Sequence, residues 1–346
     1  DVALKEPLDH TTAGRLAQEA WITGHLEHPG IVPVYDAGQL DGKPFYAMRL
    51  VRGRSLSVAL SETSTLANRL ALLRHFRDAC EAMAYAHSVG IIHRDLKPAN
   101  VMVGNFGETQ VVDWGLARVT TEAEPRWKQV IAAGGSDQTM IGDVVGTPAY
   151  MSPEQAESAV LDARTDVYSL GVILREMLCG RSPYFGMRTD EVLASLRSGG
   201  EDWGTWTAGV PPELRAIVER ATARRREDRY PDAGALAADV TAWLDGRQVA
   251  AYSYSPLEEA RRLAKRYKAP LWVAAIALLV LLVGATIATQ RIVTARNDAV
   301  SAGNDAVSAE GRTLASVAKS AHLRGARAEA EVIAAEAIVR GESPIS

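Results

Sequence analysis

The stretch His93-Arg-Asp-Leu-Lys-Pro-Ala-Asn-Val-Met-Val-Gly-Asn-Phe-Gly-Glu-Thr-Gln-Val-Val-Asp-Trp-Gly115 decides how this chain is read. It sets one acid, Asp95, five positions before an amide, Asn100, and puts a second acid, Asp113, thirteen residues later at the end of a short apolar run. β-Branched residues flank a loop with Gly104, Asn105 and Gly107, so Asn100-Val-Met-Val and Gln110-Val-Val-Asp113 predict the strands of a hairpin. That hairpin would bring Asn100 and Asp113 to one end. Two adjacent oxygen ligands suit a hard ion such as Mg²⁺, which keeps waters and takes its other ligands from substrate phosphates. A hairpin with polar ends accounts for any one of these acids, but poorly for the whole string.

The run His93 to Asn100, followed by Asp113-Trp114-Gly115, resembles the catalytic loop and metal-binding motif of eukaryotic-type (Hanks-type) protein kinases. The resemblance implies a role for each matching position. Asp95 would accept the proton of a substrate hydroxyl, Lys97 would steady the transferred γ-phosphate of ATP, and Asn100 and Asp113 would hold Mg²⁺, with Mn²⁺ as an alternative. The Lys97-Pro98 pair is similar to the serine/threonine branch, since tyrosine kinases usually carry Ala-Ala-Arg there. Trp114 departs from the usual Phe and is expected to pack as a large apolar anchor.

The chain has 346 residues, a net charge of −4 and 47% hydrophobic residues, enough for a sizeable core and without the basic surplus of a nucleic-acid partner. Its two cysteines, Cys80 and Cys179, lie far apart in helical patterns outside any Cys-x-x-Cys spacing and read as buried free thiols. No methionine opens the chain and no N-terminal signal peptide is visible.

Upstream, Asp1-Val-Ala-Leu-Lys5 is a short strand pattern ending in a Lys. It resembles the V-A-I-K strand of the same family, whose Lys contacts the α- and β-phosphates and pairs with a Glu on the next helix; Glu19 is the candidate partner. The helix around Glu19 places Leu16, Ala20, Thr23 and Leu26 near one face. A kinase also needs a glycine-rich G-x-G-x-x-G turn before the Lys strand, and none precedes Asp1, so the chain is expected to be a fragment of a longer protein. His28 to Asp36 and Pro44 to Met48 predict two more strands with an Asp41-Gly42 turn between them. By resemblance, residues 49–53 are the hinge between lobes. Met48 then guards the adenine pocket, and the backbones of Arg49 and Val51 bond the adenine edge.

From Ser55 to Gly90 apolar residues recur at helical spacing, with His87 expected to make a packing or capping bond. The resemblance makes His93 a structural residue packed on Trp114. It makes Arg94 the partner of an activation-loop phosphate, whose oxygens match a guanidinium fork. Residues 113–154 resemble that activation segment, closing in Gly146-Thr-Pro-Ala-Tyr-Met-Ser-Pro-Glu154. Thr147 would bond Asp95 and Lys97, and Glu154 would form a buried ion pair with Arg229. Thr139 and Thr121 are candidate phosphorylation sites. Asp166 opens an apolar helix and would anchor the catalytic loop backbone. Amphipathic helices follow near 189–198, 211–223 and 232–245.

Leu271 to Ala288 is free of charge over eighteen residues, enough to cross a hydrocarbon core of about 30 Å. Arg261, Arg262, Lys265, Arg266 and Lys268 precede it, against Arg291 and Arg296 after it, which places the kinase side in the cytoplasm. Beyond, Asn297-Asp-Ala-Val-Ser-Ala-Gly303 is nearly repeated as Asn304-Asp-Ala-Val-Ser-Ala-Glu310, a period of seven that suggests a helical stalk or weak coiled coil.

The expectation is therefore an α+β chain with a two-lobed protein-kinase-like fold at 1–245. It comprises a small-lobe remnant 1–48, hinge 49–53 and large lobe 54–245, then a basic juxtamembrane linker 246–269, a transmembrane helix 270–289 and an extracytoplasmic helical segment 290–346. The implied function is a single-pass membrane serine/threonine kinase that uses ATP and Mg²⁺ on protein substrates, with homodimers for trans-autophosphorylation. Two rivals stand beside it: a pseudokinase scaffold that binds partners without catalysis, and a receptor whose main role is ligand sensing outside the membrane.

Overall fold

In the first sheet, β1 (Val2–Lys5) and β2 (Val34–Leu40) flank β3 (Lys43–Arg49), both antiparallel to it, in the order β1-β3-β2. This is a computed structural model, and it describes residues 1–7, 13–40, 43–120, 147–199, 203–256, 258, 268–325 and 327–340. The β1–β3 register pairs Lys5 with Tyr46 and Ala3 with Met48. Helix α1 (Ala13–His25) lays Leu16 and Ala20 against Tyr46 on this sheet, because the three-to-four spacing keeps them on one face. Together these form the small lobe.

Next come β4 (Gly53–Ser55), α2 (Leu56–Ser61), α3 (Leu66–Leu70) and α4 (Leu73–Ser88). Ser55 and Thr65 cap α2 and α3 by accepting from the backbone N–H three residues on. The short strands β5 (Ile91–Ile92) and β8 (Arg118–Val119) pair with each other, and β6 (Val101–Gly104) and β7 (Thr109–Val111) form the predicted hairpin, with Val101 opposite Val111. Gly107, at φ 91°, takes the left-handed turn between them. The lobes are stitched at Val111, whose N–H donates to Gly30 O at 2.8 Å. A Cβ on Gly30 would sit 2.9 Å from Ala82 Cβ, so this close approach to α4 requires glycine.

The large lobe centres on α6 (Ala163–Cys179), nearly all of which is buried. Around it lie α5 (Pro153–Ala156), α7 (Thr189–Ser198), α8 (Pro212–Ala221) and α9 (Ala233–Leu244). One apolar core joins Phe76 and Met83 of α4, Leu170 and Leu174 of α6, Ile217 of α8 and Leu236 of α9. Burying one such side chain contributes about 1.5–3 kcal/mol. Arg69 of α3 donates to the carbonyls of Met177 at 2.9 Å and Leu178 at 3.5 Å, supplying partners to the C-terminal carbonyls of α6. Cys80 is a buried free thiol and Cys179 a partly buried one.

The first compact unit runs to Ser253 and a second spans Tyr254–Ser346. Past α9, Val249 is buried in the first unit's core. There Asp239 accepts from Tyr230 Oη at 2.7 Å, from the Ala250 N–H at 2.7 Å and from the Ala251 N–H at 3.0 Å. The second unit holds α10 (Lys268–Leu323) and α11 (Arg327–Val339), which reverse at Gly325, φ 83°. Among the described residues, α10 alone is long and apolar enough to cross a membrane, with mean hydropathy 2.4 over an unburied eighteen-residue window.

Candidate active site

Lys5, at the end of β1, reaches two carboxylates: Glu19 Oε1 at 2.5 Å and Asp113 Oδ1 at 2.8 Å. Glu19 lies on the sheet-facing side of α1, 4% exposed, and its Oε1 also accepts from Tyr46 Oη at 2.7 Å. Burial opposes the charge on Lys5, but hydrogen bonds to Asp113 and Glu19 outweigh it and hold its pKa above the ordinary value. Burial also disfavours the Asp113 carboxylate, and the Lys5 ammonium more than offsets this, leaving its pKa below the ordinary range. Asp113 adopts φ 65°, a conformation that non-glycine residues enter only when their surroundings impose it. Two residues on, a Cβ at Gly115 would come within 3.1 Å of Glu19 Oε2.

The side chains of Lys97, Asn100 and Thr147 converge on Asp95. Its Oδ2 accepts from Lys97 Nζ at 2.7 Å and Asn100 Nδ2 at 3.4 Å; its Oδ1 accepts from the Thr147 N–H at 3.0 Å and Thr147 Oγ1 at 3.2 Å. Lys97 Nζ also donates to Thr147 Oγ1 at 2.9 Å. Asn100 Nδ2 donates to the Asp95 carbonyl at 2.9 Å, which fixes the amide so that Oδ1 is its acceptor end. The Val112 N–H donates to Asn100 O at 3.0 Å, tying Asn100 to the hairpin end that leads into Asp113.

Behind the loop, Asp166 is fully buried at the start of α6. Its Oδ2 accepts from the His93 N–H at 2.8 Å and its Oδ1 from the Arg94 N–H at 2.9 Å, while His87 Nε2 lies 3.0 Å from Oδ2. Burial alone would raise the Asp166 pKa, but the hydrogen bonds from His87 Nε2 and from the His93 N–H outweigh it and hold it below the ordinary carboxylate value. His87 Nδ1 accepts from the Ala233 N–H at 3.2 Å, so its ring proton sits on Nε2, facing Asp166. His93 packs on Trp114 with ring centroids 4.7 Å apart; its Nε2 donates to Val112 O at 3.2 Å and its Nδ1 accepts from the Asp95 N–H at 3.3 Å. Arg94 has φ 71°, and its carbonyl accepts from Gln155 Nε2 at 2.8 Å.

Glu154 and Arg229 form a two-pronged ion pair, Oε1–Nη1 at 2.7 Å and Oε2–Nη2 at 3.0 Å, with the Arg229 side chain fully buried. Thr165 Oγ1 donates to Glu154 at 3.0 Å, and Arg229 also donates to the carbonyls of Ala223, Arg164 and Arg224. Met48 is half-buried beside the Leu16–Ala20–Tyr46 cluster. The Arg49 N–H donates to Pro33 O at 3.1 Å and is thereby satisfied within the chain. Val51 is half-buried after it. Thr139 and Thr121 lie outside the described residues.

Four contacts were invisible in the sequence: Tyr46 on Glu19, Lys5 on Asp113, Gln155 on the Arg94 carbonyl, and His87 bridging Asp166 to α9. None has a spacing signal, since each joins residues brought together only by packing. The Ser152-Pro-Glu-Gln155 capping box, which holds Gln155 in place, was the one local clue.

Residues 2–236 match the protein kinase domain family. The chain is 34% identical over 255 residues to "Serine/threonine-protein kinase PknD" of Protochlamydia amoebophila, covering 67% of this chain and 26% of that protein. It is 36% identical over 247 residues to "Serine/threonine-protein kinase PknB" of Mycolicibacterium smegmatis, covering 67% and 36%. Against the PknB of Mycobacterium tuberculosis the identity is 35% over 240 residues, covering 65% and 35%. The chain thus spans between about a quarter and somewhat over a third of the length of these relatives. A family match across well over half of the chain, with bacterial relatives aligned over a similar length, settles its kinship: the chain belongs to the protein kinase domain family and is homologous to the bacterial Hanks-type serine/threonine kinases.

Proposed function

We propose that this chain carries the phosphotransferase domain of a membrane-anchored serine/threonine kinase, with Asp95, Lys97, Asn100 and Asp113 as its catalytic set. The observation that carries the reading is the double contact of Lys5 with Glu19 and Asp113, which joins small lobe and catalytic hairpin in one charge network. Among the described residues no cluster of three or more His, Cys, Asp or Glu side chains could hold a metal unaided. Asn100 Oδ1 and the Asp113 carboxylate offer two oxygens, which fits a Mg²⁺ or Mn²⁺ that completes its shell with nucleotide phosphates and water. When bound, the cation offsets charge on the phosphates.

The chain's own residues supply the rest. Four hydrogen bonds fix the plane of the Asp95 carboxylate, so it can orient a Ser or Thr hydroxyl and accept its proton. Lys97, held between Asp95 and Thr147, places a positive charge beside the transferred group. Lys5, steered by Glu19, is positioned for the α- and β-phosphates, and the backbones of Arg49 and Val51 for the adenine edge, behind Met48. Arg94 would meet a phosphate on the activation segment. The apolar span in α10 and the Arg261–Lys268 basic cluster before it support a cytoplasmic kinase unit. Protein substrates carrying Ser or Thr are the partners.

The test is autophosphorylation with Mg-ATP, and transfer to a generic basic protein, by the protein with its natural flanking sequence, beside Asp95→Asn. The wild type should transfer phosphate to Ser or Thr; equal incorporation by the two proteins would remove the enzyme reading.

A further inference from the structure

Arg175 of α6 is 4% exposed and has no carboxylate partner among the described residues. Its Nη2 donates to the carbonyls of Trp203 at 2.8 Å and Gly204 at 3.1 Å, while Nε and Nη1 donate to no described residue. The guanidinium lies 4.0 Å from the Trp206 ring centroid and 5.7 Å from that of Trp203. Its neighbour Glu176 is taken by Tyr150 Oη. Burial holds the Arg175 pKa below the ordinary value, and Glu219 opposes this only from beyond ion-pair distance. A buried cation held by carbonyls and ring faces alone keeps much of its charge uncompensated.

That charge borders a cavity of about 220 Å³ between the end of α6 and the loop that follows α7. Arg181, exposed and without an ion pair, lines the same cavity, and no acid among the described residues does. Phe185, 78% exposed, gives it an apolar lip. Trp203, on its wall, packs edge-on against Tyr168 and Tyr184 in the cluster that also holds Tyr150 and Met151 of the 146–154 segment. We infer that this cavity is a docking site for an acidic side chain, Glu or Asp beside an apolar residue, of a protein substrate bound apart from its acceptor Ser or Thr. Arg175 and Arg181 offer charge-assisted donors to the carboxylate, and Phe185 meets the apolar neighbour, for which a free ion has no use. Stacking on Trp206 fixes the Arg175 fork in advance, so little side-chain freedom is lost on binding. The carboxylate follows from the cavity alone; that its carrier is a substrate rests on the kinase reading above.

Cys179, one helical turn beyond Arg175 on the cavity wall, is a built-in reporter, while Cys80 is fully buried. In the protein with its natural flanking sequence, alkylation of Cys179 by iodoacetate, which carries a carboxylate, is compared with alkylation by neutral iodoacetamide using peptide mass spectrometry. The rate ratio should stand at least about fivefold above that of the same chain in denaturant, and should fall at least about threefold in Arg175→Met and in Arg181→Gln, whose exposed side chain leaves the fold intact. An unchanged ratio, or no labelling by either reagent, overturns the site. A peptide carrying Glu-Glu-Phe should slow iodoacetamide labelling and its Gln-Gln-Phe counterpart should not; equal protection by acetate or inorganic phosphate overturns docking in favour of a small-ion site. Joining Glu-Glu-Phe to a Ser acceptor peptide through Gly/Ser linkers of graded length should lower KM at least about fivefold at the best length with kcat unchanged, and Arg181→Gln should remove the gain. No gain at any length overturns the substrate role. Asp95→Asn should keep wild-type labelling and protection, which separates the two readings. Lost protection with intact transfer removes the docking site alone, whereas intact protection with transfer no greater than in Asp95→Asn removes the kinase reading and with it the substrate.

Discussion

Lys5 and Asp113, 108 positions apart, meet at 2.8 Å across the cleft, and the same ammonium holds Glu19 at 2.5 Å. Lys5→Met should reduce phosphotransfer by roughly 10²- to 10³-fold, the scale for losing one preorganised electrostatic group, and Lys5→Arg should not restore it, because a planar fork cannot replace a point charge between two acids. The Lys5 pKa is raised, so its contribution to stability is present below about 10.5 and is lost as pH rises above that. The Asp113 pKa is lowered, so its contribution is present above about 3.8 and is lost as pH falls below that. The stability difference between wild type and Lys5→Met, read by denaturant unfolding, should therefore be flat from about pH 5 to about pH 9 and shrink on either side.

Thr147 binds Asp95 through both its N–H and its hydroxyl. Thr147→Ser keeps the hydroxyl and should stay within about threefold of wild-type turnover, whereas Thr147→Val loses it and should fall by about tenfold, on the scale of one hydrogen bond to a charged group. Initial-rate assays at saturating ATP check this. A loss in Thr147→Ser with turnover retained in Thr147→Val would show that the methyl packing, not the hydroxyl, matters.

Asp166 is fully buried and accepts two backbone N–H bonds as well as the contact from His87. Asp166→Asn replaces one acceptor oxygen with a donor that faces another donor, and should cost about 3 kcal/mol by denaturant titration. Because the folded-state pKa is lowered, the wild-type advantage is present above about pH 3.8 and is lost as pH falls below it.

The Glu154–Arg229 pair is buried on both sides. Glu154→Leu alone strands the guanidinium and should destabilise by about 3–5 kcal/mol, while Glu154→Leu with Arg229→Met should recover part of that loss, the remainder reflecting the carbonyls of Ala223, Arg164 and Arg224 that lose their donor. A thermal melt of the two variants distinguishes ion pairing from shape, since a purely steric role would leave the double variant no better.

Glu176 accepts from Tyr150 Oη at 2.6 Å, and burial raises its pKa against the opposing effect of that bond. A raised carboxyl pKa means stability present below the ordinary value near 4.5 and lost as pH rises through the folded value. Glu176→Gln keeps an acceptor for Tyr150 without a charge to bury. It should match wild type near pH 4 and exceed its melting temperature at about pH 8 by a few degrees, on the scale of about 1 kcal/mol.

Much of the architecture was readable from local pattern. The hairpin ending at Asp113, the helices near 189–198 and 232–245 and the apolar span all rest on period, turn residues and caps, which are short-range properties of the backbone. The reversal at Gly325 was not read, because Ala-rich helix on either side has the same composition whether it continues or folds back. The sequence, by itself, determined the family and the chemical types present: acids, amide and lysine at spacings that make sense only together. Tertiary structure alone decided which of them touch. Lys5 could have met Glu19 without Asp113, and His87 could have capped its own helix. Both outcomes depend on how strand, helix and hairpin pack, because side-chain contacts over such separations are set by the shape of a shared core and leave no trace in local periodicity.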